Sequence, residues 1–113
     1  MGISKARNIG MKMAKGNHIM CIDNDQIVKQ DWLTYIYRKM DEGYDFVGVE
    51  AWEVNRSYMP VKRHVRRSPK IKIDYVGAGA CLMKRSVLEN IGIYDERFGM
   101  AYFEDVDICF SII

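Results

Sequence analysis

The 113-residue chain holds 17 Lys and Arg against 15 Asp and Glu, with 49% hydrophobic and 28% charged residues. That balance excludes a wholly disordered chain, and a net charge of +2 gives no ground for nucleic acid as a partner. At this length the chain forms at most one small domain with a modest core.

The pattern "SKARNIGMKMAKG" predicts an amphipathic helix with Ser4 as N-cap and Gly16 as a left-handed C′ residue. Ile3, Ala6, Ile9, Gly10, Met13 and Ala14 fall on one face and Lys5, Asn8, Lys12 and Lys15 on the other, with Arg7 at the border. "HIMCI" follows without polar alternation, as in a strand covered on both faces, and Asp23 stands at its carboxyl end. Ligands bind at that edge in open α/β sheets. "DWLTYIYRKMDEG" reads as a second helix, capped by Asp31, with Trp32, Leu33, Ile36 and Met40 inward and Gly43 ending it. "DFVGVEAW" reads as one further strand. This alternation predicts an α/β layer fold with a mostly parallel central sheet.

The segment Asn55–Lys70 contains both prolines and no apolar period, so a long basic loop is expected there. "KIDYV" and "ACLMKR" read as strands joined through "GAGA", "RSVLENIG" as a short helix closed by Gly92, and a last helix starts near Glu104. The chain opens inside a helix with no strand before it and stops on the apolar "CFSII". That reads as the middle of a larger domain, with exposed edges that invite self-association into a homo-oligomer. Cys21, Cys81 and Cys109 have no zinc or redox spacing and sit among apolar neighbours, as reduced core residues do. With no apolar run of roughly 18 residues and no signal peptide, a cytoplasmic location is expected.

Four groups of residues carry candidate chemistry. Asp23 and Asp25, in Asp-Asn-Asp, converge on one cation if the backbone turns; oxygen ligands suit Mg²⁺ or Mn²⁺, completed by phosphate oxygens. The rival is a solvated turn with an Asx hydrogen bond. An EF-hand is excluded, because Ile27 and Val28 stand where an oxygen ligand and a glycine are needed. "FEDVD" offers Glu104, Asp105 and Asp107 at a helix start, either as a general base or as complements to the helix dipole. Gly77 and Gly79, in "GAGA", permit close approach of a ligand to the backbone or mark a tight bend. The run Lys62–Lys72 is either a solvated loop or a landing strip for an anionic acceptor or membrane surface.

In series, "ISKARNIGMKMAKGNHIMCIDNDQIV…DWL" and "YVGAGACLMKRSVLENIGIYDERFGMAYFEDVDIC" resemble family 2 glycosyltransferases of the GT-A fold, nearly throughout the chain outside the basic loop. The resemblance implies a single, partial GT-A (Rossmann-like) domain over residues 1–113. It also implies metal-dependent, inverting transfer of a sugar from a nucleotide-sugar donor to a saccharide or lipid-linked acceptor. It carries Asp25 and Asp23 over as the metal and diphosphate pair, with Asp25 the more direct ligand. Arg7 would face the nucleotide, and Gly77, Ala78 and Gly79 would line the donor pocket. Asp105 would be the catalytic base, with Glu104 beside it. The family's units that grip the base have no counterpart before Met1. A non-catalytic binding module on the same scaffold is therefore the alternative, and a nucleotidyltransferase a third reading without a glycine-rich loop to support it.

Overall fold

The computed structural model describes residues 2–57, 59–64, 74–100 and 102–112. Helix α1 (Ile3–Met13) has Gly2, not Ser4, in the N-cap position, and Ser4 lies buried inside it. The buried face is Ser4, Asn8 and Met11, while Ile9 and Met13 are 45% and 74% exposed. The lysines face outward as predicted and Ala14 packs on the core, but Asn8 is buried where an exposed residue was expected, and Ile9 and Met13 are exposed where buried ones were. Hydrogen bonding explains why Asn8 goes inward: Asn8 Nδ2 donates to the Tyr94 carbonyl at 2.8 Å, and Asn8 Oδ1 accepts from the Tyr94 N–H at 3.0 Å. A second Nδ2 hydrogen goes to Glu96 Oε1 at 3.0 Å. An amide so fully paired costs little to bury. Gly16 does not end the helix in a left-handed conformation. Instead the Arg85 side chain donates to the carbonyls of Ala14 and Gly16 at 2.7 and 2.8 Å, satisfying the chain end that a glycine cap would otherwise serve.

Strand β1 (His18–Ile22) leads through a turn into α2 (Trp32–Asp41) and then β2 (Phe46–Gly48). Asp31 occupies the N-cap of α2 at φ 62° without a side-chain cap bond, whereas Gly43, at φ 101°, ends the helix region as its sequence predicts. Ile36 and Met40 are buried, but Leu33 is half exposed. "DFVGVEAW" is two strands, not one. After Gly48 the chain leaves the first sheet, and β3 (Ala51–Val54) belongs to a second. Gly48 permits the close approach of β5 (Tyr75–Val76): a Cβ there would lie 1.9 Å from Val76 Cγ1. Within the expected loop 55–70 stands β4 (Pro60–His64), which pairs with β3. Pro60 is its first residue, a position that proline tolerates in an edge strand. Residues 65–70 of that segment, and with them Arg66, Arg67 and Lys70, as well as Lys72, lie outside the described residues.

The first sheet has the order β1-β6-β2, where β6 (Ala80–Lys84) is antiparallel to both neighbours. β1 and β2 therefore run the same way, as a crossover through α2 requires, but a reversed strand separates them. The second sheet, β4-β3-β5, is antiparallel throughout. The expected mostly parallel sheet is accordingly corrected: every described pairing is antiparallel. A continuous apolar run does mean burial on both faces, but the strand that shows it fully is β6, where Ala80 to Met83 are at most 4% exposed. β1 lies at the edge of its described sheet, with Ile19 buried and Ile22 47% exposed.

Alternation along β6 divides the core. Leu82 packs with Ile36, Met40 and Val47 under α2. Cys81 and Met83 pack on the opposite face with Met11, Leu88 of α3 (Arg85–Ile91), Tyr94 and Val106 of α4 (Glu104–Ile112). Each such apolar side chain contributes roughly 1.5–3 kcal/mol on burial. All three cysteines are free thiols, Cys81 and Cys109 within this core. Among the described residues no helix is long and apolar enough to cross a membrane.

Asn8→Ala strands two main-chain groups of Tyr94, at about 1–3 kcal/mol each. A loss of about 2–4 kcal/mol is expected in denaturant unfolding, whereas Met13→Ala on the same helix changes stability by less than about 0.5 kcal/mol. Equal losses would show that α1 packs through its apolar side after all.

Candidate active site

The chain leaves β1 at Ile22 and turns at once, with Asp23 at the corner: the Gln26 N–H donates back to the Asp23 carbonyl at 3.2 Å. The Asp23 N–H donates to the Gly79 carbonyl at 2.7 Å, which fixes Asp23 against the turn between β5 and β6. Glycine leaves room for the carboxylate there: a Cβ on residue 79 would lie 2.9 Å from Asp23 Oδ2, so another residue would push that side chain aside. On the other side of the same turn lies Asp105, whose Oδ1 accepts from the Val106 N–H at 2.9 Å and whose carboxylate is close enough to the Ala78 N–H to be favoured by it. The Gly77–Gly79 turn is thus held between the two acidic motifs.

Arg7 joins them a second time. Its Nη1 donates to Glu104 Oε1 at 2.6 Å and its Nη2 to Asp23 Oδ1 at 3.4 Å. The Arg7 and Glu104 side chains are 11% and 6% exposed, that of Asp23 42%. Arg7 also lies over the Tyr94 ring, 5.5 Å from its centroid. Burial alone would lower the Arg7 pKa, but the bond to Glu104 and the charges of Glu104 and Asp23 hold it above its ordinary value. Glu104 Oε2 is buried without a hydrogen-bond partner among the described residues. Burial, and then the Glu104 charge, raise the Asp105 pKa above the usual carboxylate value against the opposing effect of its main-chain donors.

These residues open onto one cleft of about 550 Å³. Arg7, Asp23, Gly77, Ala78, Gly79, Glu104 and Asp105 all line it. Asp25 does not: it is exposed on the turn beyond Asp23, outside the lining. Among the described residues no three His, Cys, Asp or Glu side chains converge as a ready metal cage. The chemistry of the available donors nonetheless fits Mg²⁺ or Mn²⁺. Asp23 and Asp25 supply hard carboxylate oxygens with exposed sides, which leaves the remaining positions to ligand oxygens and water.

The cleft also contains Glu50 just before β3, Trp52 and Tyr75 from the second sheet, and Tyr102 and Phe103 just before Glu104, none of which the sequence singles out. Trp52 and Tyr75 stack in parallel, 6.2 Å apart. Their cross-strand pairing, β3 with β5, is not legible while "DFVGVEAW" reads as one strand of one sheet, whereas the aromatic pair next to "ED" stands in plain view in the sequence. Of the basic run, Lys62 lies 3.8 Å from Glu53 and Arg63 pairs with Glu50. Those two cations therefore have acidic partners within the second sheet, and the four others lie outside the described residues.

Removing one member of a buried ion pair costs about 3–5 kcal/mol, because the other charge is left without a partner. Arg7→Met is expected to destabilise by that amount, and adding Glu104→Leu to recover at least about 2 kcal/mol of it. Additive losses in this double-mutant cycle would show that the two side chains do not depend on each other.

Residues 1–92 match the family described as "Glycosyl transferase family 2". Over 41 residues the chain is 37% identical to "Glycosyltransferase GlyG" of Streptococcus pneumoniae serotype 4 (strain ATCC BAA-334 / TIGR4), a stretch that makes up 36% of this chain and 14% of that protein. The family match takes in Arg7, Asp23, Asp25 and the Gly77–Gly79 turn, and ends before Glu104 and Asp105. Since it extends over most of the 113 residues, the chain belongs to glycosyl transferase family 2.

Proposed function

We propose that the cleft belongs to an inverting, cation-dependent glycosyltransferase that moves a sugar from a nucleoside-diphosphate donor to an acceptor hydroxyl. The observation that carries this reading is the shared cleft, where Asp23, bonded through its N–H to the Gly79 carbonyl, and Asp105 line one wall with the Gly77–Gly79 turn. A donor whose diphosphate lies near Asp23 and Asp25 would then present its sugar along the Gly77–Gly79 backbone to Asp105.

In this reading Asp25 and Asp23 hold Mg²⁺ or Mn²⁺. That cation, when bound, offsets the charge that develops on the departing diphosphate. Asp105 takes the proton from the acceptor hydroxyl as its oxygen forms the bond to the anomeric carbon. The bond from that carbon to the diphosphate oxygen breaks, and its electron pair leaves with the diphosphate on the opposite face, so the anomeric configuration inverts. Glu104 is unsuited to the proton transfer, because one oxygen is committed to Arg7 and the other is buried. Its part is to hold Arg7, and through Arg7 the Asp23 corner. The glycines let the donor sugar approach the main chain.

Three measurements test this. Titration of the chain with nucleoside diphosphates in the presence of Mn²⁺ is expected to show cation-dependent binding that Asp25→Ala weakens at least about tenfold. No binding to any of the common nucleoside diphosphates would instead favour a non-catalytic scaffold. Gly79→Ala is expected to weaken the same binding by crowding Asp23, whereas Asp105→Asn leaves it intact and removes transfer. Third, stability should depend on pH through Asp105. Its folded pKa lies above its unfolded one, so its contribution is fully present below the unfolded pKa and lost as pH rises through the folded value. Asp105→Asn should therefore melt above the parent chain at neutral pH, with the difference vanishing in acid; a constant offset at every pH would remove Asp105 as the titrating group.

A further inference from the structure

Tyr102 and Phe103 stand directly before Glu104 in the left-handed backbone region, at φ 79° and 67°. For residues with a Cβ each such conformation costs roughly 1–2 kcal/mol, and neither side chain has the short polar group by which Asn or Asp offsets it. Burial does not offset it either: Tyr102 is 80% exposed and Phe103 40%. Two consecutive strained residues with open rings are poorly explained by folding, and strain of this kind gathers at ligand sites. Both line the cleft that holds Asp105.

We propose that Tyr102 and Phe103 form the platform on which the cleft receives the pyranose ring of a neutral acceptor saccharide, beside Asp105; this rests on the transferase reading above. The negative face of an aromatic ring suits the weakly positive C–H face of a sugar, while nearby carboxylates accept hydrogen bonds from its hydroxyls. Charge points the same way. Among the described lining residues Glu50 is paired with Arg63 and Glu104 with Arg7, which leaves an excess of negative charge at Asp23 and Asp105; that disfavours an anionic acceptor and not a polyhydroxyl one. Trp52 is not the platform, because Tyr75 stacks in parallel with it and Arg63 lies 6.0 Å from its centroid.

The test is saturation-transfer NMR on the full chain, with Mg²⁺ and nucleoside diphosphates present. The probes are lactose, cellobiose and N,N′-diacetylchitobiose, each as the free disaccharide and as its octyl glycoside. At least one free disaccharide is expected to receive saturation at its ring C–H protons. Tyr102→Gly and Phe103→Gly should each weaken its binding about tenfold, Tyr102→Phe should retain it, and the glycine variants should melt no lower than the parent. The platform is overturned if no free disaccharide binds, if only the octyl glycosides bind, if the glycine variants bind as tightly, or if they are less stable. Nucleoside diphosphate binding in the same samples separates the two readings. Where it persists and saccharides fail, the platform alone falls; where it is absent, the transferase reading falls and the platform with it.

Discussion

One guanidinium holds this site together. Arg7 reaches from α1 to Asp23 at the end of β1 and to Glu104 at the start of α4, elements 16 and 97 residues away along the chain. An exposed pair of this type would contribute little. Here the Arg7 and Glu104 side chains are nearly buried, so the charges are mutually dependent, and the loss of either leaves the other in a low-dielectric surrounding. The Asn8 clasp on Tyr94 lies one residue along the same helix and keeps the Tyr94 ring beneath Arg7. Position and charge at the site therefore come from adjacent residues of one helix. That accounts for the burial of Asn8 on a helix whose lysines stay exposed.

Around this ion pair the sheets place the main chain by close approach. Gly48 admits Val76 and so brings β5 against the end of β2; Gly79 admits the Asp23 carboxylate and so brings the β5–β6 turn against β1. Two missing side chains thus set how near the second sheet comes to the first. Tyr75 and Trp52 reach the cleft as a consequence of that approach. The reversed strand β6 supplies the rigid base, since it is buried on both faces and paired on both edges.

Much of this was legible from residues alone, for definite reasons. Helix ends marked by Gly43 and Gly92 were readable because a left-handed φ leaves a residue signature, and both glycines have one, at 101° and 90°. The order of Asp23, the glycine turn and Asp105 was readable because each is a local pattern. Strand direction was not, because a buried strand has the same apolar run whichever way it points. The buried face of α1 was misplaced at Asn8, Ile9 and Met13 for a related reason. Periodicity counts Asn8 as polar, whereas its two contacts with the Tyr94 main chain arise from a partner 86 residues away. No local rule announces such a partner. The positive φ of Tyr102 and Phe103 was equally hidden, since aromatic residues are not the ones expected there.

The charge balance of the cleft links the proposed parts of the mechanism to one another. Arg7 is the natural candidate to meet a diphosphate, yet its charge is already committed to Glu104 and, at longer range, to Asp23. Arg63 is occupied by Glu50 at the far wall. The described lining thus keeps an excess of negative charge, and on electrostatic grounds a nucleoside diphosphate would be repelled from it. On the proposed reading a divalent cation at Asp23 and Asp25 reverses that sign locally, at the end of the cleft where Asp25 stands open to solvent. The Asp105 end stays negative and half-buried, the setting that keeps a carboxylate basic. A cation-dependent donor and a neutral acceptor are then two consequences of the same arrangement: one guanidinium spent inside the protein on Glu104, and the charges of Asp23 and Asp105 left to the cleft.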